Sequence, residues 1–372
     1  MSNSQLAFPD LAIQGYRGFR DLKIQDLGRV TLITGKNNTG KSSILEALRL
    51  VSQKAAPDVL YDILTSRSDF RRYEEKDARF LVSEGDFYPS VLFHGFPSFD
   101  DEVKPIVIKT GNSNHPMEVS LSTDWMSDPM DNQRRTKPMK RSQNEQESAL
   151  SEPVLVASTE EGEYVMSLEV IEHFGHRWVR SERDRMNCRV VYPNGVSDTL
   201  GTLWDRVVLR DEEADVVRAL QTIVPDITAV RMIGGGSHSR LGKAPYVRIH
   251  GLSRYVPLGS LGDGVNRMLT LILALLDARD GLLLIDEFEN GLHHTVQLQA
   301  WRTIFQLAQH HSIQVFATTH SWDAVEAFQA AAAETPEVGV LLRLTRKGSN
   351  IIPTVFTEDD LQVITKRRIE VR

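Results

Sequence analysis

The stretch "VTLITGKNNTGKSSILEALRLV", Val30 to Val51, decides the fold. An apolar run leads into a loop bounded by Gly35 and Gly40, and apolar positions at helical spacing follow. That order predicts a buried strand, a phosphate-binding loop and an amphipathic helix. The loop "GKNNTGKS" has glycine at both positions that the phosphate-loop pattern requires. The backbone N–H groups of Gly35, Lys36, Asn37, Asn38, Thr39, Gly40, Lys41, Ser42 and Ser43, with the positive end of the helix, then face the phosphates of a nucleotide. Lys41 is placed to reach the β and γ phosphates, and the Ser42 hydroxyl to bind Mg²⁺.

Working outward, "LLLIDEFE", Leu282 to Glu289, is an apolar run ending in two acids. A parallel strand delivers side chains in this way to the ligand edge of its sheet. Beside a phosphate loop, Asp286 reads as part of the Mg²⁺ shell, and Glu287 as the group that polarises or deprotonates the attacking water. "VFATTHS", Val315 to Ser321, is a second such strand, ending in Thr318, Thr319 and His320. A lone histidine at a strand end is usually a hydrogen-bonded surface or core residue. Its place, one helix and one strand beyond Glu287, points instead to an imidazole brought toward the γ-phosphate by a neighbouring strand. Before these lies "SLGDG", with Ser260, Gly262 and Gly264 ahead of an apolar helix. A hydroxyl, two residues without Cβ and a helix start together suit an anion.

The remaining chain sets bounds. At 372 residues, 41% hydrophobic and 25% charged, it is long enough for a large core. The net charge of −7 lacks the basic footprint of a nucleic-acid coat, although a local groove can still be basic. The single cysteine, Cys188, allows no internal disulfide, no secretory leader is visible and the longest apolar run is too short for a bilayer, so a cytoplasmic protein without membrane contact is expected. "LAIQGYRGFRDLKI" reads as a hairpin broken at Gly15 and Gly18. Helices are expected over 59–64 and 70–82. "PIVIKT", "MEVSLS", "PVLVAS", "YVMSLEVI" and "CRVVYP" read as strands of an antiparallel lobe, interrupted by a flexible polar loop at 126–153. Within that loop Arg134, Arg135, Lys137, Lys140 and Arg141 read as a solvated charged run. The domain plan is a nucleotide-binding head in two parts, 1–55 and 241–372, around an inserted helical and β-rich segment at 56–240. The fold class is α/β, a P-loop mixed sheet flanked by helices.

Taken as a set, "IQGYRGFRDLKI", "GKNNTGKSSILEALRLV", "LGSLGDGVNRMLTLILALLDA", "LLIDEFENGLHH" and "VFATTHS" resemble the OLD-type branch of the ATP-binding-cassette (ABC) ATPases, close to SMC and RecF heads. The resemblance covers both ends of the chain; the middle matches only in general character. It implies a slow, regulatory ATPase that binds ATP and Mg²⁺. It also implies a homodimer or higher homo-oligomer in which Ser260, Gly262 and Gly264 bind the γ-phosphate held by the other subunit. No glutamine occurs between Gln53 and Gln133, so His94 in "LFHGF" is the candidate for the glutamine of the class. The spaced aspartates of a TOPRIM nuclease domain are missing, with only Asp359 and Asp360 late in the chain. The expected role is therefore control of a separate effector, a nuclease or toxin, in antiviral defence. The alternative is a RecF-like or SMC-like repair ATPase that clamps DNA. A transporter motor is disfavoured by the long insertion between Lys41 and Ser260.

Overall fold

Two sheets with one helix between them organise the chain. The structure is a computed structural model and describes residues 6–66, 88–97, 103–111, 116–126, 152–167, 185–193, 195–196, 199–234, 243–335, 339–356 and 360. The loop-bearing strand β3, Val30–Gly35, is buried at every position. It lies between β14, Gln314–Thr318, and β15, Gly339–Lys347, and runs parallel to both. Beyond β14 comes the acid-bearing strand β13, Leu282–Ile285, also parallel. Strand β14, the neighbouring strand expected to carry His320, thus stands between the phosphate-loop strand and the acidic strand. With β8, Cys188–Tyr192, β9, Gly195–Val196, and β16, Asn350–Phe356, they form a seven-stranded mixed sheet in the order β16-β15-β3-β14-β13-β8-β9.

Both faces of this sheet are covered, which is why its central strands read as unbroken apolar runs. Successive side chains point to opposite faces. Leu282 and Leu284 join one core, together with Ile44, Leu45 and Leu48 of helix α1, Lys41–Ser52. Leu283 and Ile285 join the other. That second core contains the apolar faces of α5, Asp263–Asp277, α6, His294–His310, and α7, Trp322–Glu334. Helices α3, Leu200–Val208, and α4, Glu213–Gln221, pack there too. Each of these side chains, fully buried, contributes about 1.5–3 kcal/mol of transfer free energy.

The hairpin read around Gly15 and Gly18 forms as β1, Leu11–Tyr16, and β2, Phe19–Ile24. It opens a six-stranded antiparallel sheet, β2-β1-β4-β5-β6-β7, completed by β4, Ile106–Thr110, β5, Met117–Met126, β6, Glu152–Thr159, and β7, Gly162–Ser167. Its apolar face lies against α1 and α2, Pro57–Ser66. Two expectations shift here. The middle strands continue the N-terminal hairpin's sheet, because β4 pairs with β1, instead of closing a sheet of their own. "CRVVYP" leaves the antiparallel group altogether: β8 pairs parallel with β13, with Leu282 opposite Cys188. A short apolar strand fits either pattern, and only its partner decides which. A third sheet joins β10, Ile227–Gly234, β11, Lys243–Ile249, and β12, Tyr255–Pro257. The helix expected at 70–82, the basic run from Arg134 to Arg141 and residue 359 lie outside the described residues, as does all of the loop at 126–153 except its ends. Met126 and Glu152 at those ends pair across β5 and β6. Among the described residues no helix is long and apolar enough to cross a membrane.

Candidate functional site

Helix α1 begins without a side-chain cap. Gly40 precedes it at φ 88°, and a Cβ there would stand 2.5 Å from the Phe19 ring, so conformation and space both require glycine. The first helical hydrogen bond is Ile44 N–H to the Gly40 carbonyl, which leaves the N–H groups of Lys41, Ser42 and Ser43 for an anion. The loop is braced from within by Thr39 Oγ1, which donates to the Lys36 carbonyl at 2.8 Å. It is braced from β15 by Arg346, which donates to the Asn38 carbonyl at 3.0 Å. Lys41 Nζ folds back to the carbonyls of Gly35 at 2.7 Å and Lys36 at 3.1 Å.

The acids meet this loop from β13. Ser42 Oγ donates to Asp286 Oδ1 at 3.0 Å, and Thr318 Oγ1 donates to the same oxygen at 2.6 Å. A hydroxyl and a carboxylate, both hard oxygen ligands, therefore stand side by side where Mg²⁺ would take its remaining ligands from phosphate and water. Glu287 follows at φ 50°, a left-handed conformation that few residues other than glycine adopt. Thr318 holds it there: its hydroxyl accepts the Glu287 N–H at 2.9 Å and its carbonyl the Phe288 N–H at 2.9 Å. Such strain, over-determined by neighbours, concentrates at working sites.

Glu289 was not singled out in the sequence, yet it organises the end of β14. Its carboxylate accepts the Thr319 hydroxyl at 2.8 Å and the His320 N–H at 2.7 Å. The spacing "DEFE" was the available signal, but only the adjacency of β13 and β14 gives the third acid its partners. His320 is exposed and lines the same cleft as Glu287.

That cleft is about 530 Å³ and runs from Glu287 and His320 across Asn37–Ser43 to Arg17, Val91, Phe96, Arg346 and Ile351. Arg17, Phe96 and Arg346 come from three separate segments, and none carries a local motif. Phe96 is 67% exposed. His94 does not line the cleft; it packs on the β1–β2 turn, with its N–H on the Gly15 carbonyl and its ring Nδ1 2.9 Å from the Arg17 carbonyl. Ser260, Gly262 and Gly264 do not line it either. Ser260 and Gly262 are exposed, and the Ser260 hydroxyl donates to the Pro257 carbonyl at 2.7 Å.

Burial pushes the Lys41 ammonium down to about 8, against the opposing pull of Asp286, Glu289 and Glu287. Phosphate favours the charged lysine, so binding is strongest where Lys41 already carries its proton, and above about pH 8 binding must take a proton up. Nucleotide affinity is expected to fall as pH rises beyond about 8, toward a limit of about tenfold per pH unit. Titrations with a fluorescent ATP analogue between about pH 7 and pH 9.5 check this. An affinity that stays flat across the range would mean that free Lys41 keeps its proton.

Comparisons with known proteins bear on the same elements. Residues 9–161 match the family model "AAA ATPase domain", and residues 243–325 match "AAA domain, putative AbiEii toxin, Type IV TA system". The first match contains the phosphate loop, and the second contains the Ser260–Gly264 segment, the acids and His320. The chain is a P-loop ATPase. An "ATP/GTP phosphatase" of Helicobacter pylori is 22% identical to this ATPase over 377 aligned residues, covering 94% of this chain and 95% of that one. An uncharacterized protein of Methanocaldococcus jannaschii is 50% identical over 46 residues, 12% of this chain; the match spans 21% of that protein's length. Among solved structures, the SMC head domain from Thermotoga maritima has a TM-score of 0.46 at 14% identity, covering 94% of this chain and 99% of that one. The Smc head domain of Pyrococcus furiosus, bound to the C-terminal domain of ScpA, has a TM-score of 0.49 at 10% identity, covering 98% and 99%.

Proposed function

We propose that this ATPase works as a cassette-type dimer of the SMC and RecF kind, closing around two ATP molecules. Each phosphate loop is completed by Ser260, Gly262 and Gly264 of a second copy. The observation that carries this reading is the placement of those three residues. They sit at the uncapped N-terminus of α5, outside the chain's own cleft, and a Cβ at Gly262 would meet nothing within 4 Å. A helix end with free N–H groups and open space before it suits a phosphate arriving from outside the chain.

In this reading Lys41 and the N–H groups of residues 35–43 hold the triphosphate. Ser42 and Asp286 hold Mg²⁺, which when bound offsets phosphate charge. Glu287 takes or polarises the water proton, and His320, set by Glu289, faces the γ-phosphate. ATP binding then closes the dimer and hydrolysis opens it, which suits control of a macromolecular partner. Duplex DNA clamped by the closed dimer is the partner favoured here. A separate effector, a nuclease or toxin controlled in antiviral defence, is the second reading.

The test is Ser260→Glu. Ser260 is exposed, so the fold tolerates the change at a cost of about 1 kcal/mol for the lost hydrogen bond to Pro257. The added carboxylate would face the partner's γ-phosphate. Nucleotide should still bind at the protein's own loop, while turnover falls about 100-fold or more, the loss typical of one misplaced phosphate-stabilising group. Mixing Ser260→Glu with Lys41→Ala protein yields heterodimers in which one composite site carries both lesions and the other neither, so part of the turnover should return. Full turnover by Ser260→Glu protein running as a monomer in sizing columns would defeat the dimer reading. Band-shift titrations with duplex DNA, with and without ATP, separate the two partner classes.

A further inference from the structure

Arg267 is the most unusual polar group in the described core. It lies on α5, 7% exposed, with Nη1 donating to the Tyr192 carbonyl at 2.7 Å. Its Nε and Nη2 are buried and make no hydrogen bond. A buried cation with two unmade hydrogen bonds is destabilising, and a group of this kind in a folded protein calls for an explanation.

Its position suggests the purpose. Gly264 and Arg267 are three residues apart and so share a face of α5. That face packs on Gly291, in the turn that follows the acids. A Cβ on Gly264 would stand 3.5 Å from the Gly291 carbonyl oxygen, and one on Gly291 would stand 3.6 Å from the Arg267 Cβ. Asp286, Glu287 and Glu289 all lie close enough to favour its charge, against a burial that lowers its basicity. Glu289 in turn holds Thr319 and His320. The far end of α5 is anchored: the buried carboxylate of Asp277 accepts from Arg189, and from Arg206 at 2.6 Å. With that end held, a push on the N-terminal end would be transmitted along α5 to Arg267 and the acidic turn.

We infer that Arg267 is a positioning residue that couples the Ser260–Gly264 end of α5 to the turn Glu287–Leu292. When α5 is engaged at its N-terminus, Nε and Nη2 take acceptors in that turn and hold Glu287 in register for the attacking water. The inference rests on the dimer reading only for the origin of the push.

The variants R267M and R267K test it by a split between binding, turnover and stability. R267M removes the unsatisfied cation and keeps the bulk, so its melting temperature should equal or exceed that of the wild type. Its ATP Kd should stay within about twofold of the wild-type value while kcat falls about 10- to 100-fold, the cost of a misplaced reacting group. R267K should recover part of kcat, because the ammonium keeps the charge and loses the two-pronged geometry. A kcat within about twofold of wild type in R267M overturns the inference. So does a parallel loss of kcat and affinity with a lowered melting temperature, which would mark a merely structural residue. Failure of the dimer reading registers elsewhere, as full turnover in Ser260→Glu protein.

Discussion

Lys41→Ala is expected to abolish nucleotide binding at micromolar concentrations. Lys41 is the buried cation of the loop, 5% exposed, and its ammonium is already held beside the phosphate-binding N–H groups by the loop carbonyls of Gly35 and Lys36. On binding, its hydrogen bonds transfer to phosphate oxygens, where a charged pair contributes about 1.5–3 kcal/mol per bond. Losing two such bonds lowers affinity about 100-fold or more. The fold should survive, because the variant removes a desolvated charge whose burial lowers its basicity. Isothermal titration with ATP and Mg²⁺, beside a thermal melt, reads both quantities. Undiminished affinity and turnover would remove the phosphate-loop assignment.

The second large effect is Glu287→Gln, which should bind ATP with near wild-type affinity and lose turnover by about 10²–10⁴-fold, the range for a positioned general base. The backbone at Glu287 is fixed by Thr318 through two hydrogen bonds that the substitution leaves in place. The contacts of Lys41, Ser42 and Asp286 are likewise untouched. Only the acceptor for the water proton is lost. Under the dimer reading this protein should accumulate as an ATP-bound dimer in sizing columns. Wild-type turnover would place the base elsewhere, and His320, which lines the same cleft, would be the next residue to substitute.

The parts of the site that were legible in the sequence share one property: their chemistry is set by neighbours a few residues away. The strand, loop and helix around "GKNNTGKS", the acids after "LLLI" and the threonines before His320 each follow from local periodicity. The order of the motifs also placed β14 beside β13, and the Asp286–Thr318 hydrogen bond at 2.6 Å is the direct product of that adjacency. His94 shows the limit. A histidine chosen by position alone packs on the Gly15–Arg17 turn, because its neighbours in space come from a hairpin far away in sequence.

Sequence by itself determined the α/β class, the phosphate loop, the acidic strand end and the helix start at Ser260–Gly264, because each is written in a pattern of period two or period 3.6 next to glycine punctuation. Tertiary structure alone decided which short apolar runs join which sheet. It drew β8 into the parallel core beside β13 and joined β4–β7 to the N-terminal hairpin. It alone gave Glu289 its hold on Thr319 and His320, brought Arg17, Phe96 and Arg346 to one cleft and buried Arg267 against the acidic turn. The physical reason is the same in each case. A strand satisfies its hydrogen bonds with any partner of suitable register, and a polar side chain acquires its role only from groups that packing brings within reach.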